Sequence, residues 1–245
     1  MELISKIQKA ELFTEPFPYI YIENFLPHEL YQQLIENFPT FEEKEFTNNI
    51  RLQYSMQDFL EEPDKFDFFI KLQQNYFDAS FHKAIFEKFK DYLENENEVK
   101  LRNNNVKSKS KKNITYFDIQ PGINTPVTRA CSVRNPHKDS HTEIFAGLLY
   151  ARDPNDTSTG GDLELYSSTK KVKFNKRKEK NDEQDRIYFK KNEVLNIKDL
   201  KLEKTIPYSS NNFIFFLNSE QSIHGVSPRS VTQHVRRLLN IVYEK

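Results

Sequence analysis

The sequence predicts a β-sandwich or barrel standing behind a helical first third. Two textures carry that reading. From residue 114 onward, apolar runs of four to eight residues alternate with Pro, Gly, Asn, Asp and Ser, the pattern of short strands joined by turns. Upstream, apolar residues recur at helical spacing instead. The 21 Phe and 12 Tyr of this 245-residue chain supply the buried area a large core needs, without any Trp.

Taken in order, Tyr19-Ile20-Tyr21-Ile22 is a short strand candidate. Pro27-His28-Glu29 opens a helix with Leu30, Leu34, Ile35 and Phe38 on one face, stopped at Pro39. A second helical stretch spans about 64–93, where Phe66, Phe69, Leu72, Phe77, Phe81, Ile85 and Phe89 form a wide apolar face suited to core packing. Residues 94–113 are polar, end in a Lys/Ser run, and read as a surface loop. Strands are expected at 114–120, 144–151, 163–166, 186–189, 213–217 and 238–243. A charge-dense insertion at about 170–204 interleaves both signs and reads as a solvated hairpin. The expectation is one domain over 1–245, with 1–113 as helical support and 114–245 as the strand-rich core.

Composition excludes several classes. The 36 Lys+Arg balance the 36 Asp+Glu, which argues against a dedicated nucleic-acid binder. A single Cys makes no internal disulfide and fits a reducing compartment. The N-terminus MELISKIQKAELF lacks a signal-type apolar run, and no stretch reaches the roughly 20 apolar residues of a membrane helix. A soluble cytoplasmic protein with no membrane partner is expected. The five glycines, at 122, 147, 160, 161 and 225, build no phosphate-cradling loop.

Three positions carry chemistry: His137 and Asp139 in NPHKDS, and His224 in SIHGVSPR. A His-x-Asp pair with a distant His in a β setting is the ligand set of a facial triad, which holds Fe(II) on one side and leaves open positions. Twelve residues past His224, Arg236 opens an apolar strand. Period 2 puts Arg236, Leu238 and Asn240 on one face and Arg237 and Leu239 on the other. An arginine fork there suits a carboxylate.

These residues sit in a wider pattern: YFDIQPG (116–122), PHKD (136–139), IFAGLLYARDP (144–154), GGDLELY (160–166), NNFIFFLNS (211–219), HGVSPR (224–229) and RRLLNIVY (236–243). In this order they resemble the 2-oxoglutarate/Fe(II)-dependent dioxygenases of the prolyl-hydroxylase-like branch. The likeness covers about 114–245, and FPYIYIENFLPHELYQQLIENFP (17–39) resembles that branch's helical lead-in. The resemblance implies a double-stranded β-helix (jelly-roll). It also implies iron on His137, Asp139 and His224, and the distal carboxylate of 2-oxoglutarate on Arg236. Tyr150 takes the place of a hydroxyl donor to that carboxylate, with Asn240 and Gln120 near the pocket. Gly160-Gly161 makes the turn before a rim strand.

The reaction so implied couples oxidative decarboxylation of 2-oxoglutarate by O2 to C–H hydroxylation, with ascorbate a further candidate requirement. The presence of Asp139 favours hydroxylation over halogenation. A small-molecule or sugar-linked substrate is favoured. A peptidyl, prolyl-type hydroxylase is the alternative, and a non-catalytic cupin-like binding module the remote one. The base-dealkylating branch has a last-strand arginine in an RxNxTxR pattern, which is absent here. At the mouth, Arg134, His141 and Arg229 are candidates to face the substrate, the two arginines for an anionic one. His28, His82 and His234 match no motif, and Cys131 reads as a small apolar filler.

Overall fold

Strand pairing organises the chain into two sheets. The computed structural model describes residues 2–42, 46–93, 98–101, 114–140, 142–168 and 197–245. Its helices are α1 (Glu2–Lys9), α2 (His28–Glu36), α3 (Met56–Glu61), α4 (Asp67–Tyr76) and α5 (Ala79–Lys88). The strands begin with β1 (Leu12–Phe13), β2 (Tyr19–Ile22), β3 (Arg51–Gln53), β4 (Glu98–Leu101) and β5 (Ile114–Asn124). They continue with β6 (Glu143–Tyr150), β7 (Leu163–Ser168), β8 (Leu200–Ile206), β9 (Phe213–Leu217), β10 (Ile223–Val226) and β11 (Arg236–Glu244).

The larger sheet runs β1-β2-β9-β6-β11-β5-β3, with β4 added to β5, and the smaller runs β10-β7-β8. The pairing is antiparallel throughout except for β4 on β5. This is the jelly-roll architecture, with the helices against the outer face of the larger sheet. The smaller sheet ends in isolated bridges, Cys131 with Arg229 and His137 with His224, in place of a fourth strand.

Alternation along the strands sorts the two faces. Phe145 and Leu149 on β6, Phe213 and Phe215 on β9, and Leu239, Ile241 and Tyr243 on β11 join one core with the helical Phe69, Phe81 and Phe86 and with Phe89 just past α5. Ala146, Ile214 and Phe216 point the other way and meet Leu163, Leu165 and Ile206 of the smaller sheet. Pro121 inside β5 costs no pairing with β11. Its carbonyl accepts from the Tyr54 amide at 3.0 Å, so its nitrogen faces the same side, where β3 has already ended.

Two expectations need correction. The stretch 64–93 is not one helix: Asp78 caps a new one, its carboxylate accepting from the Phe81 amide at 2.9 Å. The segment 94–113 is not loop throughout, since Glu98–Leu101 pairs with β5. Helices α1 and α3 and strands β1, β3, β8 and β10 were not expected. The rest of 94–113, the strand expected at 186–189 and most of the insertion lie outside the described residues. The end of the insertion is β8, an edge strand exposed at most positions, with lysines that discourage edge pairing. Among the described residues, no helix is long and apolar enough to cross a membrane.

His82 ties α5 to the sheet. Its Nδ1 lies 2.7 Å from the Tyr243 hydroxyl, and burial pushes its pKa down to about 4. The unfolded chain takes up this proton near pH 6.5, whereas the fold resists it. The contribution of His82 is therefore complete above about pH 6.5 and lost as pH falls toward 4, by about 3 kcal/mol in all. Denaturant titrations of the wild type and His82→Gln across that window should show the difference. An unchanged pH slope in the variant would contradict it.

Candidate active site

The bridge between His137 and His224 builds the site. Each backbone N–H donates to the other's carbonyl, at 2.8 and 2.9 Å. The two imidazoles therefore stand side by side, with ring centres 4.3 Å apart. Nδ1 of His137 lies 2.7 Å from the Asn135 carbonyl, and Nδ1 of His224 lies 3.0 Å from the Ser222 carbonyl. A carbonyl only accepts, so both Nδ1 atoms carry the proton and both Nε2 lone pairs are free for a ligand.

Asp139 completes the set. Its Oδ1 is 3.5 Å from His137 Nε2 and its Oδ2 is 3.3 Å from His224 Nε2. The three residues offer ligand atoms within 4.8 Å of one another. Ligands about 2.1 Å from a common ion sit roughly 3 Å apart when adjacent, so modest contraction closes the triad on a metal. His137 Nε2 is buried and has no hydrogen-bond partner. The donor set fits a divalent ion, and two imidazoles with one carboxylate suit Fe(II).

The electrostatics agree. Burial, then His224 and Arg134, push His137 down to about 4, and burial lowers His224. Burial alone would raise Asp139, but the nearby His224, His137 and Arg134 together hold it well below the usual carboxylate range. At neutral pH the triad is two neutral imidazoles and one carboxylate, the forms that bind metal.

The triad opens into a cavity of about 460 Å³, whose far wall is β11. Arg236, Leu238 and Asn240 line it, whereas Arg237 turns away to Asp153, at 3.2 Å. Arg236 is only 2% exposed. Its Nε donates to the Gly161 carbonyl at 2.7 Å and its Nη1 to Asn124 Oδ1 at 3.0 Å. Its guanidinium carbon sits 4.9 Å from the ring centres of both Tyr150 and Tyr208. Gly160 and Gly161 have φ of 75° and 77°, values that favour glycine. This turn brings the Gly161 carbonyl onto Arg236.

Arg236 Nη2 and the Tyr150 hydroxyl are both buried without a partner among the described residues. Unpaired buried donors are costly. Arg236 lines the cavity, so its free nitrogen suits a carboxylate such as that of 2-oxoglutarate, whereas Tyr150 is not among the lining residues and stacks behind Arg236, its ring centre 4.9 Å from the guanidinium carbon.

The remaining candidates divide. Asn240 Nδ2 donates to Gln120 Oε1 at 2.8 Å, and both residues line the cavity. Arg134 stands half exposed at the mouth, 3.4 Å from Asp139. His141 lies outside the described residues. Arg229 does not face the cavity. It is 1% exposed and held by Asp156 at 2.6 Å and Ser158 at 3.0 Å, so it braces the loop behind Arg236 and is not available to substrate. Sequence reasoning missed Tyr208, Glu143 and Arg51. Burial, then Asp139 and Glu244, push the Glu143 carboxyl up to about 8. Arg51 had no signal, lying in a three-residue strand inside a polar stretch.

No protein-family model matches the sequence, and no curated protein matches it. Solved structures do match. A prolyl 4-hydroxylase from Phytophthora capsici aligns at TM-score 0.52 and 14% identity, over 99% of this chain and 64% of its own. The chain thus spans under two thirds of that protein. The epimerase SnoN, solved in complex with Fe3+, alpha-ketoglutarate and nogalamycin RO, aligns at TM-score 0.51 and 8% identity over 99% and 82%. A Pseudomonas putida prolyl-4-hydroxylase aligns at 0.49 and 12% over 99% and 98%. The fold is that of the 2-oxoglutarate/Fe-dependent oxygenases, in its prolyl-hydroxylase-like form.

Proposed function

We propose that this protein is an Fe(II)- and 2-oxoglutarate-dependent dioxygenase that hydroxylates an unactivated C–H bond of a small or sugar-linked molecule. One observation carries the reading. The metal-type triad of His137, Asp139 and His224 shares a cavity with Arg236, whose Nη2 is buried without a partner among the described residues.

Each residue has a task. His137, Asp139 and His224 would hold the iron by one face. Arg236, with Tyr150 stacked behind it, would grip the distal carboxylate of 2-oxoglutarate, and Asn240, fixed by Gln120, would flank that carboxylate. Leu148, Leu163, Phe216 and Leu238 line the cavity with apolar surface that keeps water from the reacting carbon. Iron and 2-oxoglutarate, when bound, supply the oxidation: one atom of O2 goes into the C–H bond, the other into succinate, and CO2 leaves.

The likeness to prolyl 4-hydroxylases favours a second reading, a peptidyl hydroxylase. The test is succinate release with Fe(II), 2-oxoglutarate and ascorbate over panels of metabolites, sugar conjugates and proline-containing peptides. Stimulation by a metabolite or sugar conjugate with gain of one oxygen atom supports the first reading. Stimulation by peptides alone overturns it in favour of the second.

A further inference from the structure

Strand β3 places a further arginine, Arg51, in the cavity. Arg51 stands opposite Asn124 of β5, and Asn124 stands opposite Arg236 of β11. Two arginines therefore flank one asparagine on the face that lines the cavity. Arg236 is largely committed, to Gly161, Asn124 and two aromatic rings. Arg51 is not: its Nε is buried without a partner, and the side chain makes no ion pair among the described residues. Burial, then the Arg134 charge, push its pKa down to about 10, so it remains cationic at neutral pH. Asp139 and Glu143 are the acids whose fields reach it, and neither comes within ion-pair distance.

The backbone around Arg51 is held firmly. The Ile50 amide donates to Thr125 Oγ1 at 3.0 Å, and the Ile50 carbonyl accepts from the Thr125 amide at 2.9 Å. Asn49, at φ 52°, donates from its side chain to the Cys131 carbonyl at 2.9 Å. Asn48 Oδ1 accepts from the amides of Thr128 and Arg129. These bonds lock β3 to the segment that leads into Arg134 and the His137–Asp139 pair. A fixed cation left unpaired in a cavity wall is a destabilising feature for the fold alone, and such features concentrate at binding sites.

We propose that Arg51, with Arg134 at the mouth, binds an oxyanion carried by the substrate, so that the molecule oxidised is anionic. The proposal rests on the oxygenase reading. It adds a second anion site, separate from the one on Arg236. A fork of guanidinium donors fits a carboxylate or a phosphate group equally.

The test loads the full chain with Mn(II) and saturating 2-oxoglutarate, without oxygen. Inorganic phosphate, followed by 31P relaxation, and 13C-acetate, followed by 13C relaxation, are then titrated in. An oxyanion on Arg51 lies close enough to the triad for Mn(II) to speed its relaxation. The enhancement should appear for at least one probe and saturate. In Arg51→Gln its affinity should fall by about ten-fold or more, as for a lost charged hydrogen bond. Arg51→Lys should retain part of it. Affinity for 2-oxoglutarate should change little in Arg51→Gln, which also shows the variant is folded. Enhancement that survives in Arg51→Gln, or is absent for both probes in the loaded wild type, overturns the proposal. Loss of 2-oxoglutarate affinity in Arg51→Gln also overturns it, because Arg51 would then anchor the co-substrate. A wild type that binds neither Mn(II) nor 2-oxoglutarate overturns the oxygenase reading itself, and this proposal with it.

Discussion

Arg236→Ala should lower 2-oxoglutarate affinity by about two to four decades, while Arg237→Ala leaves it nearly unchanged. Breaking one side of a buried charged pair costs about 3–5 kcal/mol, because the remaining charge stays desolvated and unpaired. Arg236 meets the conditions for that cost. It is 2% exposed, shares the cavity with the triad, and has one guanidinium nitrogen unclaimed among the described residues. Arg237 points out of the cavity toward Asp153, with its guanidinium carbon 5.8 Å from the Phe38 ring centre. Replacing Arg236 also leaves the Gly161 carbonyl and Asn124 Oδ1 without their donor, so melting curves must accompany the calorimetry. Arg236→Lys separates the two effects: charge is retained and the fork is lost. The reverse outcome, with Arg237→Ala destructive and Arg236→Ala silent, would mean that β11 is shifted by one residue.

Alanine at His137, Asp139 or His224 should reduce divalent-metal affinity by more than about 100-fold and bring succinate release to background. Disturbing only the outer partner of a ligand already costs about 10–100-fold, and removing the ligand itself removes more. The fold should survive. Asp139 is a buried carboxylate held between two imidazoles and Arg134, so deleting it relieves a desolvated charge, and the His137–His224 bridge is a backbone contact that a side-chain change leaves in place. Metal titration by calorimetry, with circular dichroism as the folding control, checks this. Full turnover in a His137→Ala, His224→Ala double variant would remove the triad from the mechanism.

The strands were legible as short apolar runs bounded by turn residues. Tyr19–Ile22 and Phe213–Leu217 have the expected bounds, and the last strand runs Arg236–Glu244 where 238–243 was expected. Period 2 separates the two faces of β11, and the resemblance, through Arg236, points to the one that lines the cavity. Legibility failed where the cause is not local. Met56–Glu61 is a single short helix, whose N-terminal amide at Met56 is taken by Asp118 of β5 at 3.0 Å, a partner 62 residues away. Arg51 enters the cavity only because β3 adds to the edge of β5. Arg229 looked like a rim residue because it follows HGVSP, and the sequence gives no sign that Asp156 lies behind it. The break at Asp78 was visible in principle, as an N-cap residue inside an aromatic run, but the continuous apolar periodicity outweighed it.

The most direct test of the account is an anaerobic calorimetric titration of 2-oxoglutarate into the protein, with and without Fe(II). Saturable binding of one 2-oxoglutarate per chain is expected, dependent on iron and lost both in Asp139→Ala and in Arg236→Ala. Binding that is equally strong without metal, or that survives in both variants, would contradict it.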